Sequence, residues 1–459
     1  MPAGHQGPSA PTDEPSAAPS AASGDIRRAI PLAVASALVG VASLATTVFV
    51  AHVLTTRGYG TLVVLLGLFL VISMPGSALL VGVVRRVSAW EAHGFADRVR
   101  PWVVRVHRYG QVALVALAVV TWLLRVPVAH ALSLPGPSGV MEILTAGGVW
   151  VLVSIDRGLL QVRQNYGALS VNLVLEATTR TVMTVVLAKE LGVEGAALGL
   201  LLAELVTATH ARITSTRTIA TPPVVPVAPA ESPVIGAEAT GAVVALSAHR
   251  GRDLAADVVT ALASLALLAV LQNADVILLG SMAPHRSGSY AAISVPSKAL
   301  VFGALVFVNY LLPEATIRHQ RGSHALRQLG HTLVVVAVPC AVLLALAVAV
   351  PKRLLGVVFG HRLTAAGPAF STLVLAMILL SVTVVLTVYL LGVGWRWVVI
   401  ILAAGAGALA ATAALAGGRY LATARADLAV QAGLCAVMVV AFVTAHRRSS
   451  RRRRPAIPA

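Results

Sequence analysis

Long apolar stretches separated by short polar segments dominate the chain from about residue 29 onward. Each stretch is close to the roughly 20 residues that an α-helix needs to cross the hydrocarbon core of a bilayer. The pattern therefore predicts twelve transmembrane helices, at residues 29–53, 61–84, 109–131, 140–160, 168–188, 195–211, 254–280, 289–312, 329–350, 365–390, 397–417 and 426–445.

The segments outside these stretches divide the chain. Residues 1–25, rich in Pro, Ala, Ser and Gly, are expected to be a disordered leader without a cleavable signal. A Pro-rich linker at 214–252 separates an N-terminal lobe, 26–213, from a C-terminal lobe, 253–446, and a basic tail follows at 447–459. Each lobe holds six predicted spans, so both lobes enter the membrane from the same side. A parallel repeat related by a pseudo-two-fold axis along the membrane normal is therefore expected.

Composition and charge agree with a membrane protein. The chain is 57% hydrophobic and 12% charged, with a mean hydropathy of +0.85, which is too apolar for a soluble protein of 459 residues. Its net charge of +17 is concentrated in alternate loops: 24 Lys and Arg residues fall on one side, eight on the other and three within spans. Basic loops remain in the cytoplasm, so both termini are predicted to be cytoplasmic and no nucleic-acid partner is expected.

Two short loops support the internal repeat. Arg57-Gly58-Tyr59-Gly60 follows the first span and Arg286-Ser287-Gly288-Ser289-Tyr290 follows the seventh, which places Gly60 and Gly288 at an offset of 228 residues, about half the chain.

These loops also carry a resemblance to a known family. The sequence HVLTTRGYGT at 52–61 resembles the first outer loop of polysaccharide flippases in the multidrug/oligosaccharidyl-lipid/polysaccharide exporter (MOP) superfamily. QNADVILLG at 272–280, followed by GSYAA at 288–292, is similar to the seventh helix of that family and its turn. DRGLLQVRQNY at 156–166, EATTR at 176–180 and GVEGAA at 192–197 complete the resemblance, which covers both lobes.

The resemblance implies an all-α polytopic protein with two six-helix lobes around a central cavity that opens alternately to each side. It implies a polyprenyl-diphosphate-linked oligosaccharide as cargo, moved across the bacterial plasma membrane for cell-surface polysaccharide synthesis. Membrane lipids and other polysaccharide-assembly membrane proteins are the expected partners. No cofactor and no enzymatic activity are expected.

Polar residues on the fifth span are the first candidate site. Asn172, Glu176, Arg180 and Thr184 recur every four residues and form one polar stripe. Arg180 lies about 18 Å along the helix from the inner end, near mid-membrane. Placing a charged side chain at the bilayer centre costs at least about 2.5–3.5 kcal/mol, so a functional or structural role is expected for Arg180. Either Arg180 attracts the diphosphate while Glu176 orients it or accepts protons, or the two residues form a structural ion pair.

The second candidate is Lys298, inside the eighth span after Pro296. Lys298 either contacts phosphate or snorkels to the surface. Asp275 and Asn273, near the end of the seventh span, either face the cavity or cap the following loop. Glu204, deep in the sixth span, is either a proton-responsive group or a partner of Arg180 or Lys298.

Two other readings remain open. A drug/cation antiporter of the same superfamily usually carries an acidic residue in its first helix, and residues 29–53 contain none. A membrane enzyme of polysaccharide assembly would need a sizeable outer loop or soluble domain for its chemistry, and every predicted outer loop is short. A non-transporting component of a polysaccharide-assembly complex stays open as an alternative. The sequence contains no catalytic motif, no metal-ligand spacing and no phosphate-binding glycine loop.

Overall fold

The computed structural model describes residues 20–220, 253–301, 337–338, 340–392 and 395–452. The longer helices are α1 (Ser20–Val53), α2 (Thr56–Ala92), α3 (Val99–Ala131), α4 (Val140–Val162), α5 (Tyr166–Ala220), α6 (Asp253–Met282), α7 (287–301), α8 (Cys340–Ala349), α9 (Pro351–Phe359), α10 (Phe370–Gly392), α11 (Val398–Leu415) and α12 (Tyr420–Arg452). Short 3₁₀ helices occur at Ala96–Arg98 and His361–Ala369.

Every regular element in these ranges is helical. Nine of the described helices are long and apolar enough to cross a membrane, and the number rises to ten if the bent pair α8–α9 is one span. The chain is therefore a multi-pass membrane protein. The pair bends by 103° where Pro351 begins α9, because proline cannot continue the hydrogen-bond ladder of the preceding helix.

Helix α5 contains two of the predicted spans. Gly192 has φ 65° and ψ −135°, a conformation that favours glycine, and it divides α5 into arms at 166–191 and 193–220. The arms run back along each other, since side chains added at Gly195 and Gly199 would overlap the backbone at Leu187 and Met183. Small residues at this spacing allow helix backbones to approach closely.

The helices extend past several predicted boundaries. Helix α1 begins at Ser20, inside the predicted leader, and α5 continues to Ala220, inside the predicted linker. Helix α12 runs from Tyr420 to Arg452, so it begins before the predicted span and enters the basic tail. Residues 221–252 of the linker, 302–312 of the predicted eighth span, and 329–336 and 339 of the predicted ninth span lie outside the described residues.

We call the end of the bundle with the turns after α1, α3, α6 and α11 the distal end, and the opposite end proximal. The sequence predicts the distal end to face outward. The two lobes pack together through α2 and α6. A Cβ added at Gly67 would lie 3.4 Å from Asn273 and Ile277, and one added at Gly280 would overlap Val64. One apolar core accordingly contains buried residues of both lobes.

The proposed repeat has a direct counterpart at the distal end. A side chain at Gly60 would overlap Ser287 and the backbone of Gly288, and a side chain at Gly288 would overlap the carbonyl of Thr56. Residues on a two-fold axis meet their own equivalents, so this contact agrees with the pairing of Gly60 and Gly288 across the repeat.

Arg362 forms a second contact between the lobes at the distal end. Its Nη2 donates to the carbonyl oxygens of Ala51, at 2.7 Å, and His52, at 2.8 Å, in the last turn of α1. A cation is favourable there because the C-terminal end of a helix carries partial negative charge. Nearby, the rings of Tyr59 and Phe359 lie 6.3 Å apart. The lobes are therefore held together at the distal end.

Candidate functional site

A cluster of charged side chains lies inside the N-terminal lobe, between α4 and the two arms of α5. Arg157 on α4 is buried, and its Nε donates to Asn172 Oδ1 at 2.8 Å. Its guanidinium also pairs with Glu176, and Glu176 pairs in turn with Arg180. Asn172 Nδ2 donates to the Thr207 carbonyl at 3.0 Å, which ties the first arm to the second. Glu176 thus bridges two arginines.

Glu204 brings a second carboxylate to this cluster from the returning arm of α5. Its side chain is fully buried, and neither carboxylate oxygen has a hydrogen-bond partner within the described ranges. Arg180 and Arg157 are the cations within its electrostatic range. The N-terminal cluster therefore holds two guanidinium groups and two carboxylates, which balance formally to zero.

A separate polar network anchors the proximal end of the same lobe. Asp156 Oδ2 lies 2.9 Å from His107 Nε2, and Asp156 Oδ1 accepts a hydrogen bond from Ser215 Oγ at 2.6 Å. Arg212 lies 3.5 Å from the same carboxylate. These contacts join α3, α4 and α5, and their function in the fold is to hold the helices together.

The C-terminal lobe contains a second buried cluster. Lys298 Nζ on α7 lies 3.2 Å from Asp275 Oδ1 and 3.4 Å from Asn273 Oδ1, both on α6. The Lys298 side chain is only 8% exposed and the Asp275 side chain is fully buried. Asn273 also donates to the Ala269 carbonyl at 2.8 Å. The lysine is therefore held within the lobe.

Asp427 on α12 adds a second acid to this cluster. It is fully buried and accepts a hydrogen bond from Gln431 Nε2 at 3.1 Å. Asp275 and Lys298 lie within its electrostatic range. Asp427 Oδ2 and Gln431 Oε1 have no hydrogen-bond partner in the part of the chain that is described. Among the described residues, this cluster therefore holds two carboxylates and one ammonium group, and Lys298 pairs directly with Asp275. A proton or a small cation could neutralise the second carboxylate.

The seven predicted site residues fall into two groups, one in each lobe. Asn172, Glu176, Arg180 and Glu204 belong to the N-terminal cluster, and Asn273, Asp275 and Lys298 belong to the C-terminal cluster. The predicted Glu176–Arg180 ion pair is present. Whether these residues bind cargo stays a prediction.

The structure also decides between several contacts that the sequence left open. Lys298 does not snorkel to the membrane surface, because it is buried against Asp275. Asp275 and Asn273 do not cap the turn after Met282, since both approach Lys298. Glu204 lies near Arg180 rather than Lys298.

Sequence reasoning missed two charged residues of these clusters, Arg157 and Asp427. Arg157 was assigned to the inner loops near a span end predicted at 160, but α4 continues to Val162 and buries it. Asp427 stood at the edge of a span predicted to begin at 426, whereas α12 begins at Tyr420. Thr423, Asp427 and Gln431 are spaced four residues apart, which places them on one face of a helix. This spacing could have predicted a polar face that includes Asp427.

No family model and no curated protein matches the chain. An inward-facing multidrug resistance MATE family transporter of the MOP superfamily is similar in structure, with a TM-score of 0.66 over 92% of this chain and 99% of that chain at 11% identity. An outward-facing MATE transporter matches with a TM-score of 0.60 over 94% and 96% of the two chains at 13% identity.

A MOP superfamily transporter from Pyrococcus furiosus is also similar, with a TM-score of 0.60, 13% identity, and coverage of 93% of this chain and 95% of that chain. At these identities the likeness establishes the fold. The predicted fold class, about twelve helices in two lobes, is confirmed, and it is the fold of MATE transporters in the MOP superfamily. These neighbours are transporters rather than enzymes.

Proposed function

We propose that this chain is an alternating-access transporter that exchanges a small cation for an organic cargo. The observation that carries the proposal is the C-terminal cluster, in which Lys298 pairs with Asp275 and Asp427 lies within electrostatic range of both. Within the described residues, this cluster has two acids for one ammonium group. Uncompensated charge within a membrane is costly and marks ion pathways. A proton or small cation bound there during one half of the cycle would neutralise the surplus charge.

For the cargo, we infer a drug-like organic cation. Two structural neighbours are described as multidrug resistance transporters, which supports the drug/cation antiporter over the lipid-linked saccharide flippase that the sequence resemblance implied. Both termini are proposed to lie in the cytoplasm of a bacterial cell, on the basis of the loop charges.

A lipid-linked saccharide is the second candidate cargo, and one observation favours it. Arg157 and Arg180 place two guanidinium groups within the membrane, and residues 29–53 provide no acid to attract a cation. Guanidinium groups match the geometry of phosphate. The Pyrococcus furiosus transporter is described as having a binding pocket of reversed polarity, which suggests a different function for that protein, so pocket polarity differs among proteins of this fold.

Transport in proteoliposomes tests the proposal. Purified protein would be reconstituted with a fluorescent organic cation inside, and a proton or sodium gradient would be imposed. We expect gradient-driven movement of the dye that is lost in Asp427→Asn and retained in Asp97→Asn, a matched change at an exposed residue. Equal movement with and without both gradients would contradict cation exchange.

The two cargo classes are separated by a second measurement. Cells that lack the protein would be examined by mass spectrometry, with an impermeant outer-face probe for polyprenyl-diphosphate-linked saccharides. Accumulation of these lipids in the cytoplasmic leaflet, together with no dye transport, would establish the second candidate and overturn the first.

A further inference from the structure

A cavity of about 340 Å³ lies at the distal end of the C-terminal lobe, and no residue of either charged cluster lines it. It is formed where the turn after α6, the 3₁₀ segment before α10 and the start of α12 come together. Its volume is at the lower end of the range for small-molecule sites. The residues that define its chemistry are Arg286, Ala365, Ala369, Arg419, Tyr420 and Leu421.

Two arginines dominate the electrostatics of this cavity. The Arg286 guanidinium lies over the Tyr420 ring, 6.0 Å from its centroid, and donates to the Gly418 carbonyl at 3.4 Å. These contacts hold one guanidinium at the cavity wall. Arg419 is exposed and stands at the start of α12. A guanidinium carries five N–H donors, and the Gly418 carbonyl is the acceptor that the described part of the chain gives Arg286, so its other donors can serve a ligand.

The surrounding segments contain no compensating acid. None of the described residues in 283–289, 351–369 and 415–426 is Asp or Glu, and the first acid along α12 is the buried Asp427, about 10 Å from Tyr420 along the helix axis. The first turn of α12 likewise contains no acidic residue, and the N-terminal end of a helix carries partial positive charge. The cavity is thus a positive site on the side of the protein where the sequence predicts few basic residues.

The remaining lining is apolar. Ala365, Ala369 and Leu421 present hydrocarbon, and Tyr420 presents an aromatic ring. Guanidinium groups bind phosphate through paired, charge-assisted hydrogen bonds. A phosphate attached to an apolar group would satisfy the arginines and the apolar wall together.

We propose that this cavity binds a phosphate group, either in the headgroup of an anionic membrane lipid or as free phosphate. The site is separate from the cargo and coupling-ion clusters, so the proposal does not depend on the proposed function.

Binding by the purified full-length protein tests this site. Native mass spectrometry would measure the affinities for phosphatidylglycerol, phosphatidylcholine and inorganic pyrophosphate. We expect phosphatidylglycerol to bind more tightly than phosphatidylcholine, with about tenfold weaker binding in Arg286→Gln and in Arg419→Gln. Arg57→Gln, which changes an exposed distal arginine of the other lobe, is the matched control and should bind like the unchanged protein.

The arms of the experiment separate the two sources of phosphate. Pyrophosphate binding with the same loss in both variants would identify a site for free phosphate, and binding of the lipid alone would identify a headgroup site. Arg419→Gln keeps the test valid if Arg286→Gln fails to fold, because the Arg419 side chain is exposed. Equal affinities in Arg419→Gln, Arg57→Gln and the unchanged protein for every probe would overturn the proposal, as would an absence of binding.

Discussion

The two lobes share a fold but balance their buried charges differently. In the N-terminal lobe, Glu176 bridges Arg157 and Arg180, and Glu204 completes a set with equal numbers of acids and bases. In the C-terminal lobe, Lys298 pairs with Asp275, and Asp427 lies within electrostatic range of both. A balanced cluster is expected to stabilise helix packing, whereas a cluster with surplus charge can respond to a proton or cation. This division of roles can be tested by substitutions in each lobe.

The largest effect is expected when Lys298 is neutralised. Lys298→Met would leave Asp275 and Asp427 without their cation, and removing one partner of a buried ion pair destabilises a protein by about 3–5 kcal/mol. We expect a lower thermal midpoint in detergent, measured by tryptophan fluorescence. The double variant Lys298→Met/Asp275→Asn should recover part of the loss, and Lys189→Met, at an exposed site, should have no effect. An unchanged midpoint in Lys298→Met would show that the acids do not depend on this lysine.

A similar or slightly smaller loss is expected at Arg157. Arg157→Gln removes one of the two cations that Glu176 bridges, while Arg180 continues to neutralise that carboxylate. We expect a destabilisation of about 3 kcal/mol, at the lower end of the range for a broken buried pair. The thermal midpoint would be compared with that of Arg100→Gln, an exposed change on α3. Full stability would contradict a packing role for the N-terminal cluster.

An intermediate effect is expected at Arg362, which joins the lobes rather than stabilising either one. Arg362→Gln removes a charge from the C-terminal end of α1, an interaction of about 0.5–1 kcal/mol. We expect the distal ends to separate more often, visible as longer distances between spin labels at Arg57→Cys and Arg353→Cys in a background without the two native cysteines. Labels at the same sites with Arg362 retained provide the reference. Identical distance distributions would show that Arg362 does not hold the lobes together.

The smallest change in stability is expected for Asp427→Asn. The substitution removes the surplus negative charge and can preserve the hydrogen bond with Gln431. We expect the thermal midpoint to remain equal or to rise, although cation-driven transport is lost. Stability measured at several sodium concentrations should vary in the unchanged protein and become constant in the variant if sodium is the coupling ion. A large destabilisation would instead assign Asp427 a packing role like that of Arg157.

Much of the architecture could be predicted from hydropathy because lipid imposes a nearly fixed length on each span. The same physical rule, that intramembrane charge is costly, drew attention to Glu176, Arg180 and Lys298. Their partners could not be predicted, because pairing across helices depends on how each helix is rotated and on its true ends. The predicted span began at 426, which placed Asp427 at its edge, whereas the helix begins at Tyr420 and Asp427 is buried. Gly192 likewise begins the GVEGAA motif at 192–197, but the sequence does not show that the chain reverses direction there. That reversal is seen only in the positions of the two arms of α5.

The contact between Gly60 and Gly288 offers a way to control the shape of the protein. Since backbone meets backbone there, any larger residue at either position would act as a wedge between the lobes. Such a variant should favour a conformation in which the two lobes are separated at the distal end, without any change in the charged residues of the interior. A variant of this kind would allow the conformation with separated distal ends to be determined by electron microscopy, with the charged residues proposed for transport left intact.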